Sequence, residues 1–260
     1  MPGFVKDFIW SLSFLTVIPV DPKGRIAPSR MGVIMFWFPV VGLLIGLILV
    51  GVNRLATLAL PLALTDALIV AFYVALTGAL HADGFADTLD GVFGGNSPER
   101  RLEIMRDSRI GSYGAIGIGC LLGVKYAGVH VIPAGAWLTP DALNKPAALL
   151  LMPALGRWAQ TLATGCCQYA RGGPGTGSLF VNATKPWHAL IAAVLPFGLT
   201  IGLFGHPGCV LLAITAAAAL VWMFWVKSRI GGMTGDTIGS VGEVAEVAFL
   251  VAFAGLSARG

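Results

Sequence analysis

At 260 residues, 56% hydrophobic and only 12% charged, with a mean hydropathy of +0.82, the chain is far from a soluble domain, in which about a quarter of residues carry charge. The composition predicts an all-α, polytopic integral membrane helix bundle: one domain over residues 1–260 with about six or seven transmembrane helices plus interfacial ones. The net charge of +4 comes with no long basic tract, which excludes a nucleic-acid binder.

In chain order, residues 4–20 form a short apolar stretch broken by Lys6 and Asp7. It reads as a retained interfacial or re-entrant helix within residues 1–22, because no small-residue cleavage pattern follows. Met31 to Gly51 is uncharged and long enough to cross a bilayer, and Leu60 to Leu80 returns. The motif His81 to Gly91 follows, then a Gly-Gly-Asn break. Ser97-Pro98-Glu99 next opens a short polar helix to Ile110 as N-cap, first-turn proline and first-turn acid. Further spans are expected over Ser112 to Gly135, Ala147 to Gln168, Trp187 to Phe204 and Pro207 to Val226. A glycine-rich loop occupies Tyr169 to Pro186, a second one residues 227–242, and a last apolar helix runs from about Val241 to Leu256. Cys120, Cys166, Cys167 and Cys209 lack metal-ligand spacing and read as buried small hydrophobes.

Basic residues set the orientation. With a cytoplasmic N-terminus, twelve face inward: Lys6, Lys23, Arg25, Arg30, Arg100, Arg101, Arg106, Arg109, Arg171, Lys185, Lys227 and Arg229. Arg54, Lys145 and Arg259 face outward, an asymmetry that the positive-inside rule resolves in favour of this topology. Every motif-bearing loop then lies on the cytoplasmic side.

The segment 81–112 concentrates the chemistry. Asp83, Asp87 and Asp90 follow i, i+4, i+7 spacing, which gathers them within about 60° of one helix face. Three anions so close repel one another, and a hard divalent ion shared between carboxylates and substrate phosphates relieves the repulsion, so a divalent cation is expected there. A solvated helix end is the bland alternative. Arg106 and Arg109 suit phosphate oxygens, and Asp107, seventeen residues after Asp90, can return to the same site; the competing reading of this basic segment is a helix touching anionic lipid. The layout suits phosphoryl or substituted-phosphoryl transfer. Lys125 and Arg157 fall within spans, where an unpaired charge costs about 2.5 kcal/mol or more, so they need partners: Glu243 and Glu246, or a substrate anion. Asp236 stands in the glycine-rich run Gly231 to Gly239, which lacks the Gly-Lys-Ser/Thr of a P-loop. Ser108-Arg-Ile-Gly111 recurs as Ser228-Arg-Ile-Gly231, an echo that suggests an internal repeat.

His81-x-Asp-Gly-x-x-Asp-Thr-x-Asp-Gly91, Ile104-Met-Arg-Asp-Ser-Arg-Ile-Gly-Ser-Tyr-Gly114, and Gly232-Met-Thr-Gly-Asp236 followed by Glu243 and Glu246 resemble the cobalamin synthase family of adenosylcobinamide-GDP ribazoletransferases. The likeness extends to Phe38-Pro-Val-Val-Gly42 and so covers nearly the whole chain. It implies an inner-membrane enzyme, its active site facing the cytoplasm, that joins α-ribazole or α-ribazole 5′-phosphate to adenosylcobinamide-GDP and releases GMP, with Mg²⁺ required. It implies Asp83, Asp87, Asp90 and Asp107 as metal ligands, one of the acids or His81 as proton acceptor, and a substrate-binding set of Arg106, Arg109, Lys125, Arg157, Arg171, Thr234, Asp236, Glu243 and Glu246. A homo-oligomer and docking of other cobalamin-synthesis enzymes are left open. The alternatives are a CDP-alcohol phosphotransferase, whose Asp-Gly-x-x-Ala-Arg is missing at Asp83-Gly-Phe-Ala-Asp-Thr, and an ion-coupled transporter using Lys125, Arg157, Glu243 and Glu246.

Overall fold

The computed structural model describes residues 3–21, 24, 27–135, 143–173 and 176–258; Pro22, Lys23, Arg25 and Arg259, which entered the reading of the ends and the charge balance, lie outside them. Among the described residues the chain is built from α-helices with no β-strand: α1 (Gly3–Leu15), α2 (Met31–Ile34), α3 (Trp37–Ala56), α4 (Leu62–Leu76), α5 (Leu80–Gly94), α6 (Pro98–Ile104), α7 (Ser112–Val131), α8 (Lys145–Cys166), α9 (Thr176–Ala183), α10 (Pro186–Phe204), α11 (His206–Ile230) and α12 (Gly235–Ser257). Five of these, α3, α7, α10, α11 and α12, are long and apolar enough to cross a membrane, and α4 with α5 makes a sixth crossing if the bent pair counts as one span. The protein is a multi-pass membrane protein. At 13 residues α1 rises about 20 Å, short of the ~30 Å hydrocarbon layer, and it packs along α3 instead.

The bundle is wrapped around α8. Nearly every residue of this helix from Lys145 to Thr164 is buried, against α3 on one side and α12 and α10 on the others. Burial of a helix with this many polar groups works because its neighbours, not lipid, satisfy them. Small residues let the backbones meet: a Cβ added at Gly46 of α3 would stand 2.3 Å from the Leu150 carbonyl oxygen of α8. The outer helices turn apolar side chains outward, as at Leu190 and Val194 of α10.

The first span, expected from Met31 to Gly51, is Trp37–Ala56, and the span expected over Ala147 to Gln168 is α8, which is not among the helices apolar enough to cross a membrane. Four further elements differ from expectation, each for a local reason. The returning span ends at Leu76 instead of Leu80, because Gly78 and Ala79 take left-handed backbone angles and turn the chain by 87° into α5. The polar helix after Ser97 stops at Ile104, since the Asp107 carboxylate accepts the Arg109 N–H at 3.1 Å in a turn that competes with helix; its start is as read, with Ser97 Oγ accepting from the Arg100 N–H. The glycine-rich loop contains α9, and α12 begins at Gly235, six residues early, because Thr234 and Thr237 form a reciprocal capping box. Three of the four cysteines, Cys120, Cys166 and Cys209, are exposed instead of buried; only Cys167 is covered. Nor is the Ser-Arg-Ile-Gly echo a structural repeat: Gly111 is extended ahead of α7, whereas Gly231 is left-handed at the end of α11.

Two buried ionic sets tie the spans together. Lys125 of α7 donates to Glu243 and Glu246 of α12 at 2.5 Å each, Arg157 of α8 donates to Glu246 at 3.0 Å, and Tyr73 of α4 lies between them, donating to Glu246 and accepting from Arg157. Near the other end of α4, Asp66 accepts from Lys145 at 2.6 Å and pairs with His130 at 2.9 Å.

The α3–α8 contact yields a direct test. Gly46→Val should destabilise the detergent-solubilised protein by about 1–3 kcal/mol or more, read as earlier thermal aggregation. Gly119→Val, where a Cβ meets nothing within 4 Å, should leave the transition in place.

Candidate active site

The site grows out of α5, which lies between α7 and α12. Its three aspartates share a face but not an environment: Asp83 is exposed, Asp87 half-buried and Asp90 buried. Asp90 is engaged by the protein itself. Its carboxylate accepts the Gly111 N–H at 2.7 Å and the Gly114 N–H at 2.8 Å, so it closes the amino end of α7 from a neighbouring helix. Charge-assisted bonds to the positive end of a helix are favourable, and the glycines make room, since a Cβ at either would fall within 2.4 Å of a carboxylate oxygen. This gives the Ser-Arg-Ile-Gly-Ser-Tyr-Gly run its physical meaning.

Asp83 and Asp87 have no hydrogen bond or ion pair among the described residues. The start of α12 is brought against them, because Gly84 has no side chain: a Cβ there would meet the Asp236 backbone at 2.8 Å. Asp87 therefore lies in the fields of Asp83, Asp236 and Asp90, with Arg171 the cation that offsets them. Arg171 donates to Asp236 Oδ2 at 2.9 Å, and Thr234 Oγ donates to the same oxygen at 3.2 Å. His81, at the start of α5, is buried, and its Nδ1 has no partner.

The remaining expected residues lie elsewhere. Asp107, expected in the metal shell, is exposed, and both its oxygens are held by Arg109 at 2.6–3.2 Å, which keeps its carboxyl at about 2. Arg106 is exposed, and Arg109 joins Asp107, Arg100 and Tyr113 along a polar groove that reaches the main site only at Asp90. Lys125, Arg157, Glu243 and Glu246, expected to touch substrate, are buried and paired with one another. Asp90 and Asp107 are thus both engaged by donors of the protein itself. No group of three or more His, Cys, Asp or Glu side chains among the described residues is drawn together as a ready metal site.

A cavity of about 320 Å³ opens beside this cluster, lined by His81 and Asp236 at the acid end and by Phe14, Phe38, Phe180 and Gln160 elsewhere. The cavity residues Phe14, Phe180 and Gln160 escaped the sequence reading, and Phe38 entered it only as the start of the Phe38-to-Gly42 run. One signal was available for Gln160, the lone amide amid the apolar residues of α8; the phenylalanines carry none beyond ordinary core.

Residues 7–254 match the sequence profile of a family described as cobalamin-5-phosphate synthase. The chain belongs to that family. Relatives named adenosylcobinamide-GDP ribazoletransferase include one from Acetivibrio thermocellus, 35% identical over 96% of this chain and 98% of its own. Others come from Geotalea daltonii, 34% identical over 98% and 99%, and Syntrophobacter fumaroxidans, 38% identical over 96% and 98%. No solved structure matches the chain. Membership makes this cobalamin-5-phosphate synthase relative a transferase of cobalamin biosynthesis, and it favours neither a CDP-alcohol phosphotransferase nor a transporter.

The α5–α12 contact predicts that Gly84→Val lowers transferase activity by about ten-fold or more, because displacement of reacting groups by about 1 Å is that costly. Gly51→Val, whose Cβ would meet nothing within 4 Å, should keep wild-type rates in the same assay.

Proposed function

We propose that this chain joins α-ribazole, or α-ribazole 5′-phosphate, to adenosylcobinamide-GDP, giving adenosylcobalamin or its 5′-phosphate and GMP, at the cytoplasmic face of the cell's inner membrane. The observation that carries the reading is the pairing of the family's aspartate motif with two carboxylates, Asp83 and Asp87, left free of protein donors one helical turn apart. In the reaction a ribose hydroxyl attacks the phosphorus next to cobinamide, a new P–O bond forms, the P–O bond to GMP breaks, and the hydroxyl loses its proton.

The donor chemistry fits magnesium. Mg²⁺ is held by one or two carboxylates together with substrate phosphates and keeps several waters, and hard oxygens from Asp83 and Asp87, with Asp236 beside them, match that demand. Once bound, the ion would neutralise charge on the diphosphate and on departing GMP. The chain's own groups do the rest. Arg171, already paired with Asp236, offers its guanidinium to phosphate oxygens. His81, which lines the cavity and whose buried Nδ1 has no partner in the protein, takes the hydroxyl proton. Asp90 supports the site by holding α5 on α7, and Arg100 and Arg109 line the groove through which charged substrate approaches.

Asp87→Asn should reduce Mg²⁺-dependent GMP formation by on the order of 10²-fold or more while the protein elutes and melts like wild type. Full activity in that variant, measured in detergent with adenosylcobinamide-GDP and each candidate acceptor, would remove the basis of the assignment.

A further inference from the structure

The side of α5 turned away from the acids is apolar. Phe85, Leu89 and Phe93 recur at i, i+4 and i+8, about 200° round the helix from Asp83 and Asp87. They close one end of a groove of about 770 Å³ whose floor is α12, at Val244, Val247 and Val251, and whose sides are α7 and α11, at Val124 and Ile214. These two side helices pack on α12 but not closely on each other, which leaves the gap. Among the described residues none that lines it is charged, and the Trp222 indole N–H is already taken by Ser240 Oγ at 2.9 Å. Val124, Ile214 and Val251 are exposed, so the groove opens sideways, and α7, α11 and α12 are all of membrane-spanning length. The end nearest the aspartates is different. Tyr113, Phe93, Trp225 and Trp222 follow one another there with ring centroids 5.6, 5.6 and 4.9 Å apart, an aromatic rim of the kind that sits at headgroup level. The Arg229 guanidinium lies 5.7 Å over the Trp225 ring, exposed and without an ion pair among the described residues.

We propose that this groove holds one anionic phospholipid, with an acyl chain laid along α12 and its phosphate at Arg229; the inference stands apart from the reaction proposed above. The change of lining along the groove calls for an amphiphile. From Val251 to Val244, about 10 Å of helix, the surface is hydrocarbon only, then aromatic, then cationic. A polar ligand would find no hydrogen-bond partner in the apolar part, and a bare anion would leave that part unfilled. Charge selects the headgroup, because a zwitterionic lipid sets its own cation against Arg229 and an anionic one does not. Shape separates this site from ordinary lipid contact. On the outer face of α10, at Leu190 and Val194, a chain meets one helix surface, whereas a chain in the groove is touched by α7, α11 and α12 together. Such a chain also braces the apolar face of α5, whose opposite face presents Asp83 and Asp87.

The full-length protein in detergent is titrated with dioleoyl phosphatidylglycerol or dioleoyl phosphatidylcholine, and bound lipid is followed by native mass spectrometry, with glycerol 3-phosphate as the tail-free anion. Wild type should retain a single phosphatidylglycerol and hold it about five-fold or more tighter than phosphatidylcholine, the contribution of one basic residue beside an anionic headgroup. Glycerol 3-phosphate should not displace it. Arg229→Gln changes an exposed side chain and leaves the Arg229 carbonyl free to accept from Arg101 as before. It should bring the two lipids within about two-fold of each other. Val251→Trp fills the groove from an exposed position and should weaken both lipids. Each variant should elute and melt like wild type in lipid-free detergent. Equal retention of the two lipids by wild type, displacement by glycerol 3-phosphate, an undiminished preference in Arg229→Gln or an unchanged affinity in Val251→Trp overturns the site. A lipid-free dimer that Val251→Trp dissociates would also overturn it, by giving the groove to a second copy of the chain.

Discussion

The contact on which the site depends is the Asp90 carboxylate on the amino end of α7. Asp90 lies on the same face of α5 as Asp83 and Asp87, so fixing it fixes the rotation of the whole helix. Two backbone N–H groups held at 2.7 and 2.8 Å define that rotation more tightly than apolar packing does, because a carboxylate aimed elsewhere would leave both itself and the helix end unsatisfied. Of three aspartates at helical spacing, one is consumed in positioning, and the two before it are presented unneutralised. The acidic field at Asp87 is therefore a consequence of architecture. Asp236, brought in by the Gly84 contact, deepens that field, and Arg171 only partly offsets it.

The buried ionic network acts on the same site from a distance. Lys125 and Arg157 together carry two positive charges and Glu243 and Glu246 two negative ones, with Tyr73 bridging, so the set is neutral as a unit while each member is held by the others. Breaking one member would leave an uncompensated charge where water is scarce, a far larger penalty than the net worth of the pair. The network spans α4, α7, α8 and α12, and both glutamates belong to the helix whose first turn carries Asp236. Its effect is to lock α12 in register with α8. The residues whose intramembrane charge draws attention are thus tied to one another across the bundle, whereas Asp83 and Asp87 of the proposed site have no such partners among the described residues.

Much of this was legible in the sequence because it follows from composition and spacing. Apolar length marked the spans, the Ser97-Pro98-Glu99 cap marked the start of α6, and helical periodicity placed three aspartates on one face. The misread parts are those where a local interaction overrides a pattern. The turn after Leu76 depends on left-handed angles at Gly78 and Ala79, and only the glycine announces such angles. The early start of α12 needs the pairing of Thr234 with Thr237, a weaker signal than a Ser-x-x-Glu box. The fate of Asp90 was not readable at all, since it depends on which helix end comes to lie beside it, a matter of tertiary packing between residues 21 and 24 positions apart. Phe14, Phe38 and Phe180 meet around one cavity from three separate helices, and periodicity within any one helix contains no hint of that.

Breaking the second apolar run gives this membrane enzyme something a straight span would not. A continuous helix from Leu62 through Gly94 would bury its backbone completely and set Asp83 and Asp87 against neighbouring apolar helices, where an ion could reach them only at high desolvation cost. Turning the chain by 87° after Leu76 moves α5 across the bundle, so that its acids stand at a partly exposed edge while its first residue pair, Leu80 and His81, still lines the interior cavity. One helix thereby borders two environments, a partly exposed carboxylate face and a cavity walled by Phe14, Phe38 and Phe180.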